Sequence, residues 1–239
     1  MNKGLTAKWI LALAMIGFSA FHIFANDKNG AIASFVIGKS FYQAPANSKW
    51  VPIKQGVIVP EGASIKTGNG SKVTLLYGKS EFRVSQNSEI KLTSFASGKK
   101  EGKVDMVSGF AWFKVDKRPG EKVSVSTYTS TAGVRGTAFA TMYDTKTKSA
   151  MNCICEGKVE VSNLDNSSSV VASSGTGTSI DKNGKLKEES YQDIIVKLDA
   201  MPGFEKKIKS NPMLSNCLSC HTPKGWSSKG ILKDETYAK

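Results

Sequence analysis

The stretch that decides the fold covers residues 67–92 and reads TGNGSKVTLLYGKSEFRVSQNSEIKL. Asn69-Gly70 is a strong tight-turn signal, because both residue types tolerate positive φ. Apolar segments follow at residues 73–77, 82–84 and 90–92, and in the last two the apolar side chains alternate with polar ones. A period of two places alternate side chains on opposite faces of a β-strand. The stretch therefore predicts three short strands separated by turns.

The same pattern extends outward over about residues 31–180. Apolar side chains alternate between the two faces from Phe110 to Val115, then at Val123 and Val125, and again at Val159 and Val161. Strands that recur roughly every 8–12 residues are typical of a sandwich, a barrel or a solenoid. We expect an all-β domain over residues 34–180.

The composition changes after Lys182, and a short α-helical tail is expected within residues 187–239. Ser190-Tyr-Gln-Asp193 is typical of a helix start, because the serine and the aspartate can cap the first turn. Pro202-Gly203 ends the helix. Four apolar residues fall on one face of it: Tyr191, Ile194, Ile195 and Leu198.

The first 25 residues are typical of a signal peptide. Lys3 and Lys8 precede an apolar run at residues 9–18, and small residues lead to a cleavage site after Ala25. We expect export to the periplasm. The alternative is an uncleaved segment that anchors the protein in the inner membrane.

The chain of 239 residues is basic, with 33 Lys+Arg against 20 Asp+Glu and a formal net charge of +13. A hydrophobic content of 40% excludes a wholly disordered chain and a multi-span membrane protein. Because the chain is expected to be exported, we expect no nucleic-acid partner. Anionic membrane or glycan surfaces are the natural counterparts of the positive charge, and a basic surface without a partner is the alternative.

Cys217-Leu-Ser-Cys220-His221 is the C-x-x-C-H attachment signature of c-type haem. Two thiols at this spacing can both bond one edge of the porphyrin, and the adjacent imidazole then ligates the iron. Export agrees with this interpretation. We expect one covalent haem c, held by Cys217, Cys220 and His221. Alternatives are a Cys217–Cys220 disulfide or a zinc site completed by a body cysteine.

The distal side of such a haem is not specified by the sequence. No Met or His follows His221. Met213 and Met201 are the nearest candidates for a distal ligand, although gap-filling packing is the more common role of methionine. A lysine, a neighbouring chain or an open position are the other options. A methionine would favour electron transfer, and an open position would favour sensing or peroxide chemistry.

Cys153 and Cys155 lie two residues apart in a predicted strand, so their side chains share a face. They are interpreted as a strained C-x-C disulfide, as two buried thiols, or as cysteines bonded to separate partners.

Three segments together resemble the FecR domain family. They are Gly62-Ala-Ser-Ile-Lys-Thr-Gly68, then Ser130-Thr-Ala-Gly-Val-Arg-Gly-Thr-Ala-Phe139, and Glu156-Gly-Lys-Val-Glu-Val161. Family members show a GA.I.TG turn, a later VRGT.F segment and an EGxVxV segment. The resemblance covers roughly residues 34–180. It implies an exported all-β module of two packed sheets or a solenoid-like stack, often found in regulators that relay iron-siderophore signals.

The family motif here is Val134-Arg135-Gly136-Thr137. Gly133 and Gly136 permit positive φ or close strand approach, and Arg135 between them is expected to be a structural clamp with a local partner. Only residues 1–8 precede the apolar run, which is too short for a folded cytoplasmic domain. The resemblance is therefore expected to give the domain type without its relay mechanism.

No Ser-His-Asp set, supported carboxylate pair or phosphate loop is present in the sequence, so we expect no enzyme. The leading hypothesis is an exported FecR-domain protein with one covalent haem. It would act in electron transfer or haem-based sensing with a redox protein or envelope component. The alternatives are a haem-free binding or scaffold module, and a signal-relay component that works with a separate cytoplasmic partner.

Overall fold

The computed structural model describes residues 30–203 and 205–206. This part of the chain forms seventeen β-strands and one helix, α1 (Tyr191–Asp199). In chain order the strands are β1 (Ala31–Ile37), β2 (Ser40–Gln43), β3 (Val51–Pro52), β4 (Ile58–Val59), β5 (Ser64–Thr67), β6 (Lys72–Tyr77), β7 (Ser80–Val84), β8 (Glu89–Ser94), β9 (Gly102–Lys114), β10 (Val123–Ser126), β11 (Ser130–Val134), β12 (Ala138–Asp144), β13 (Ser149–Glu156), β14 (Lys158–Asn163), β15 (Ser169–Ser173), β16 (Thr176–Ile180) and β17 (Leu186–Ser190).

The strands form two sheets that share β9. Sheet A has the order β4-β1-β6-β7-β9-β12-β13-β16-β17. Sheet B has the order β3-β2-β5-β8-β9-β10-β11-β14-β15. These pairings are antiparallel, except that β9 and β10 run parallel. Because the chain changes sheet after every one or two strands, the two sheets are wound together along the molecule.

β9 passes from sheet B to sheet A at Gly109. Residues 103–108 pair with β8 in sheet B, and residues 109–114 pair with β12 in sheet A. Gly109 has φ of 85°, and a Cβ there would lie 2.4 Å from Ser88 Oγ. The Ser88 hydroxyl accepts a hydrogen bond from Phe110 N at 2.9 Å and donates one to Phe110 O at 3.1 Å. These contacts fix the bend that ties the sheets together.

The main core lies between the sheets. From sheet A, the rings of Phe82 and Phe139 contact that of Phe113, with centroid distances of 5.6 and 5.4 Å. From sheet B, Ile65 and Ile90 are fully buried in the same cluster. Burying each such side chain contributes about 1.5–3 kcal/mol. The predicted all-β fold with a short C-terminal helix is confirmed.

The predicted Asn69-Gly70 turn is present, and it joins β5 of sheet B to β6 of sheet A. Gly70 has φ of 64°. Just before the turn, the buried Thr67 hydroxyl accepts a hydrogen bond from Ser88 N at 3.0 Å and donates to the Ser85 carbonyl. The turn therefore moves the chain between the sheets instead of closing a hairpin within one of them.

The β body extends beyond the expected boundaries at both ends. β1 begins at Ala31, and β17 (Leu186–Ser190) overlaps the start of the expected tail at residues 187–239. β17 pairs with β16 across the Asn183-Gly184 turn. The Asp181 carboxylate supports this turn, because it accepts hydrogen bonds from Asn183 N at 2.8 Å and Lys185 N at 3.0 Å.

Helix α1 starts where the sequence predicts. The Ser190 hydroxyl accepts a hydrogen bond from Asp193 N at 3.1 Å and donates one to the Asp193 carboxylate at 2.7 Å. None of the helical segments within the described residues has the length and apolar character needed to cross a bilayer. The predicted export segment, residues 1–25, lies outside the described residues.

Candidate functional site

The motif at residues 134–137 carries the chain from sheet B to sheet A. β11 ends at Val134 and β12 begins at Ala138. Val134 and Thr137 are buried. Gly136 has φ of 66°, and a Cβ there would lie 2.7 Å from Lys117 Cβ. Glycine is therefore needed at residue 136 for two reasons: the backbone has a positive φ, and there is no space for a side chain.

A second crossover, at Glu156-Gly157, returns the chain from β13 in sheet A to β14 in sheet B. Gly157 has φ of 81°, and a Cβ there would lie 2.9 Å from Thr137 Cγ2. The two crossovers are thus packed against each other. The motif segments around Gly136 and Gly157, twenty-one positions apart, form one structural unit that links the sheets.

Two details of the motif differ from the sequence expectation. Arg135 is exposed, and no ion pair or hydrogen bond holds its guanidinium within the described residues, so the expected clamp is wrong. The reason is strand alternation, since Val134 faces the core and the next side chain faces outward. Gly133 has no positive φ, and the nearest atom to a Cβ there would be Glu160 O at 3.8 Å.

The outer face of sheet A carries a second apolar cluster, which we call the outer cluster. Its members lie on the face of β9, β12 and β13 that points away from sheet B. They are Phe110, Trp112, Ala138, Ala140, Met142 and Cys153, with Met151, Cys155 and Tyr191 packed against them. An antiparallel sheet normally presents polar side chains to water on its outer face, so this face is built to be covered.

The outer cluster is arranged in cross-strand rows. One row runs from Trp112 through Ala140 and Cys153 to Gly177. Small residues fill its middle, so the row forms a shallow trough beside the indole. The neighbouring row places Met142 directly between Phe110 and Met151. Two methionines therefore occupy paired positions on this face.

Cys153 and Cys155 both lie in the outer cluster and carry thiols. Cys155 Sγ lies 4.0 Å from the Cys153 carbonyl oxygen. Burial raises the pKa of the Cys155 thiol to about 11, and the nearby Cys153 adds to the increase. Cys155 is therefore protonated at neutral pH and is a weak nucleophile. A disulfide between the two cysteines stays a prediction from the sequence.

The predicted haem-attachment residues Cys217, Cys220 and His221 lie outside the described residues, as does Met213. Met201 follows α1 and is 42% exposed. Within residues 30–203 and 205–206, no group of three or more His, Cys, Asp or Glu side chains could hold a metal ion.

A small cavity lies at one edge of the main core. Its volume is about 20 Å³, and its lining includes Tyr77 and Phe95, whose rings stack with centroids 4.1 Å apart. This space holds no more than about one water molecule. The cavity is therefore too small for an organic ligand.

Sequence reasoning did not identify the outer cluster, although a signal for it exists. Residues 110–113 read FAWF and residues 138–143 read AFATMY, so both strands are apolar on both faces. In an antiparallel sheet, strands that are apolar on both faces indicate that both faces of the sheet are buried against other parts of the chain. The cross-strand neighbours that bring Met151 and Cys153 into the cluster depend on strand order, which the local pattern does not reveal.

Comparison with known proteins finds similarity over part of the β body. The profile of the family described as FecR protein matches residues 63–160, which include both crossovers. No curated protein matches the sequence. Two crystal structures of a protein from Parabacteroides distasonis, described as a "putative anti-sigma factor", are similar with a TM-score of 0.48 and 20% identity. The similarity covers 57% of this chain and 64% and 65% of those chains, which is less than two thirds of their length.

Proposed function

We propose that the β body is a binding and scaffold module of the cell envelope that takes part in envelope signalling, and that it is not an enzyme. The match of the FecR protein profile over the two crossovers supports this proposal. In the structure, the two sheets are connected by β9 and by the crossovers, and hairpin turns lie at the ends of the sheets. Tyr128, in the turn between β10 and β11, is 65% exposed and is a natural contact residue.

Photo-crosslinking in the native host tests this proposal. A crosslinking amino acid is placed at Tyr128, in the full chain and in a chain that ends at Ser190. We expect the same crosslinked partner in both chains, because binding is assigned to the β body. Lys54, which is exposed and lies outside the matched residues, is the control position and should give no such product. A product that requires residues 191–239 would contradict the proposal.

The location proposed for this module is the periplasm, with export directed by residues 1–25. The basic charge of the chain, +13 over all 239 residues, would favour peripheral association with anionic lipid or glycan surfaces. Cell fractionation followed by N-terminal sequencing distinguishes a released protein that begins near residue 26 from an anchored one that retains residues 1–25. Release of the envelope-bound fraction by salt would support electrostatic association.

A second candidate function is favoured by Cys217-x-x-Cys220-His221. We propose that one haem c is attached there and serves electron transfer or haem-based sensing beside the β body. Cys217 and Cys220 would hold the group through two thioether bonds, each formed by adding the sulfur and the hydrogen of one thiol across one vinyl group, which needs no external oxidant. His221 would supply a nitrogen ligand to the iron of the attached group.

Expression with a haem-attachment system tests the second candidate. We expect a coloured protein whose haem resists acid-acetone extraction and whose mass exceeds that of the processed chain by one haem. Replacing both Cys217 and Cys220 by alanine should abolish attachment. The matched control replaces Cys153 and Cys155 instead and should retain the haem. A colourless wild-type protein with the mass of the bare chain would eliminate this function.

A further inference from the structure

A cleft of about 620 Å³ lies on the outer face of sheet B, beside the loop that follows β2. In the register of this sheet, Ser64 of β5 lies between Gln43 of β2 and Lys91 of β8. The chain neighbour of Ser64, Ile65, is fully buried in the main core, so strand alternation directs Ser64 outward. These three side chains form the floor of the cleft, which we call the Lys91 cleft.

The loop at residues 44–48 forms the wall of the Lys91 cleft and is held in place. A Cβ on Gly62 would lie 2.6 Å from Pro45 Cγ, so the proline ring rests on the backbone of the strand pair. Gln43 Nε2 donates a hydrogen bond to the Ser48 carbonyl at 2.7 Å, and Asn47 N donates one to the carbonyl three residues earlier at 3.0 Å. The cleft is therefore formed before any ligand binds, which lowers the entropy cost of binding.

The polar groups of the Lys91 cleft keep much of their hydrogen-bonding capacity. Asn47 Oδ1 accepts a hydrogen bond from Lys49 N at 3.0 Å, which leaves its Nδ2 group as a donor. Within the part of the chain that the structure describes, no hydrogen bond engages Gln43 Oε1 or the hydroxyls of Ser48 and Ser64. Amide and hydroxyl groups that converge on one cleft suit a ligand with several hydroxyls of its own.

The charge of the Lys91 cleft is positive. Lys91 is the only charged residue among those described that line it. Two carboxylates at neighbouring positions are engaged elsewhere: Glu61 binds Lys100 Nζ at 2.7 Å, and Asp105 accepts a hydrogen bond from the Thr93 hydroxyl. Among the described residues, neither of them forms an ion pair with Lys91. An ammonium group without a carboxylate partner favours an anionic ligand.

We propose that the Lys91 cleft binds an acidic oligosaccharide of the cell envelope. A sugar carboxylate pairs with the Lys91 ammonium, sugar hydroxyls bond to Gln43 and Ser64, and the C–H face of a sugar ring packs on Pro45. The volume of the cleft suits a short oligosaccharide, and its polar floor does not suit an acyl chain. This inference deepens the proposed association with anionic envelope surfaces and rests on the proposed export.

Titration of the full chain with defined sugars tests the assignment. The probes are trimers of galacturonic acid and of mannuronic acid, and the fully methyl-esterified galacturonic trimer is the neutral counterpart. Calorimetry measures the dissociation constant, and amide NMR shifts locate the site. We expect saturable binding of at least one acidic trimer, with shifts at residues 43–48, 62–64 and 91, and much weaker binding of the ester.

Three single substitutions assign the binding to the Lys91 cleft. Lys91→Gln should weaken binding about 10- to 100-fold, the range for loss of a hydrogen bond to a charged group. Ser64→Val, which keeps a residue that favours strands, should weaken binding about 2- to 10-fold. Lys79→Gln is the matched control, because it removes the same charge from an exposed turn in sheet A and should leave the dissociation constant unchanged.

The outcomes separate this inference from the proposed function. No shift in the cleft with either acidic trimer overturns the inference, and so does equal binding of the ester. Equal weakening in Lys91→Gln and Lys79→Gln also overturns it, because binding would then depend on net charge alone, while the electrostatic association stands. Displacement of the trimer by anionic lipid vesicles would assign the cleft to a lipid headgroup instead. Crosslinking at Tyr128 reports on a different face, so its failure would remove the proposed partner binding without changing these titrations.

Discussion

Two glycines, one in the motif at residues 134–137 and one at Gly157, lie at the points where the chain changes sheet. Gly136 and Gly157 both have positive φ, and a side chain at either position would collide with the other crossover or with Lys117. Thr137 is the contact between the two crossovers. The exposed Arg135 does not hold the two crossovers together. Its charge is available at the surface of the β body instead.

Replacement of Gly136 by alanine is expected to destabilise the protein by about 1–3 kcal/mol, because the new side chain is strained in the left-handed region and clashes with Lys117. Urea denaturation of the variant and the wild type measures this difference. Gly133→Ala is the matched control, since this glycine lies in an ordinary strand conformation with room for a Cβ. The control should be neutral or slightly stabilising. Equal effects at the two glycines would contradict the crossover argument.

Cys155 should make stability depend on alkaline pH. Burial raises the pKa of its thiol from 9.0 to about 11, so the folded protein keeps a proton that the unfolded chain loses. The contribution of this proton to the free energy of unfolding is fully present below pH 9 and is lost as the pH rises through 11. It amounts to roughly 3 kcal/mol. The free energy of unfolding is measured between pH 9 and 11 for the wild type and for Cys155→Ala. The stability of Cys155→Ala should fall less over this range. Parallel pH curves for the two proteins would show that the thiol is already oxidised or ligated.

Residue-scale sequence reasoning predicted Gly136 correctly and Gly133 and Arg135 incorrectly. A glycine at a turn between two strands is detectable, because the backbone must reverse or change direction there. Whether its neighbour points inward depends on which sheet each strand joins. The sequence pattern alone did not show that residues 134–137 connect two different sheets.

At the scale of elements, the alternating segments identified the positions of the strands but not their partners. β9 is the clearest example. Its apolar pattern predicts a strand near residues 110–115, yet the strand begins at Gly102 and serves both sheets. The bend at Gly109 depends on Ser88, which is distant in sequence, so it appears only when the fold is known.

The capping interaction of α1 can be tested directly. Ser190→Ala removes both hydrogen bonds to Asp193 and should destabilise the helix by about 1 kcal/mol. Amide hydrogen exchange should then become faster in α1, while the strands of the main core keep their protection. Gln192→Ala, at an exposed helix position, is the control and should have little effect. Unchanged exchange in Ser190→Ala would mean that packing on the outer cluster alone holds the helix.

For the whole molecule, the sequence predicted the fold class, an all-β domain with a short C-terminal helix. It placed the candidate haem attachment in the tail, because C-x-x-C-H is a local motif, and a candidate cysteine pair in the β body. The outer cluster escaped prediction because it combines residues from β9, β12, β13 and α1 that are neighbours only in the folded sheet. The same two-faced strands that enclose the main core also form the face on which Tyr191 of α1 packs.

Removal of residues 191–239 tests whether the tail covers the sheet. A chain that ends at Ser190 keeps all seventeen described strands and both crossovers, so its circular dichroism should remain that of a β protein. The cover over Phe110 and Trp112 is lost, and exposing these two side chains should cost on the order of 3–6 kcal/mol. We therefore expect a lower melting temperature and strong binding of a hydrophobic dye. Substituting Phe110 and Trp112 in the shortened chain by threonine, a polar residue that favours strands, should reduce dye binding again. If the shortened chain melts like the full protein and binds no dye, residues 191–239 do not cover the outer face of sheet A.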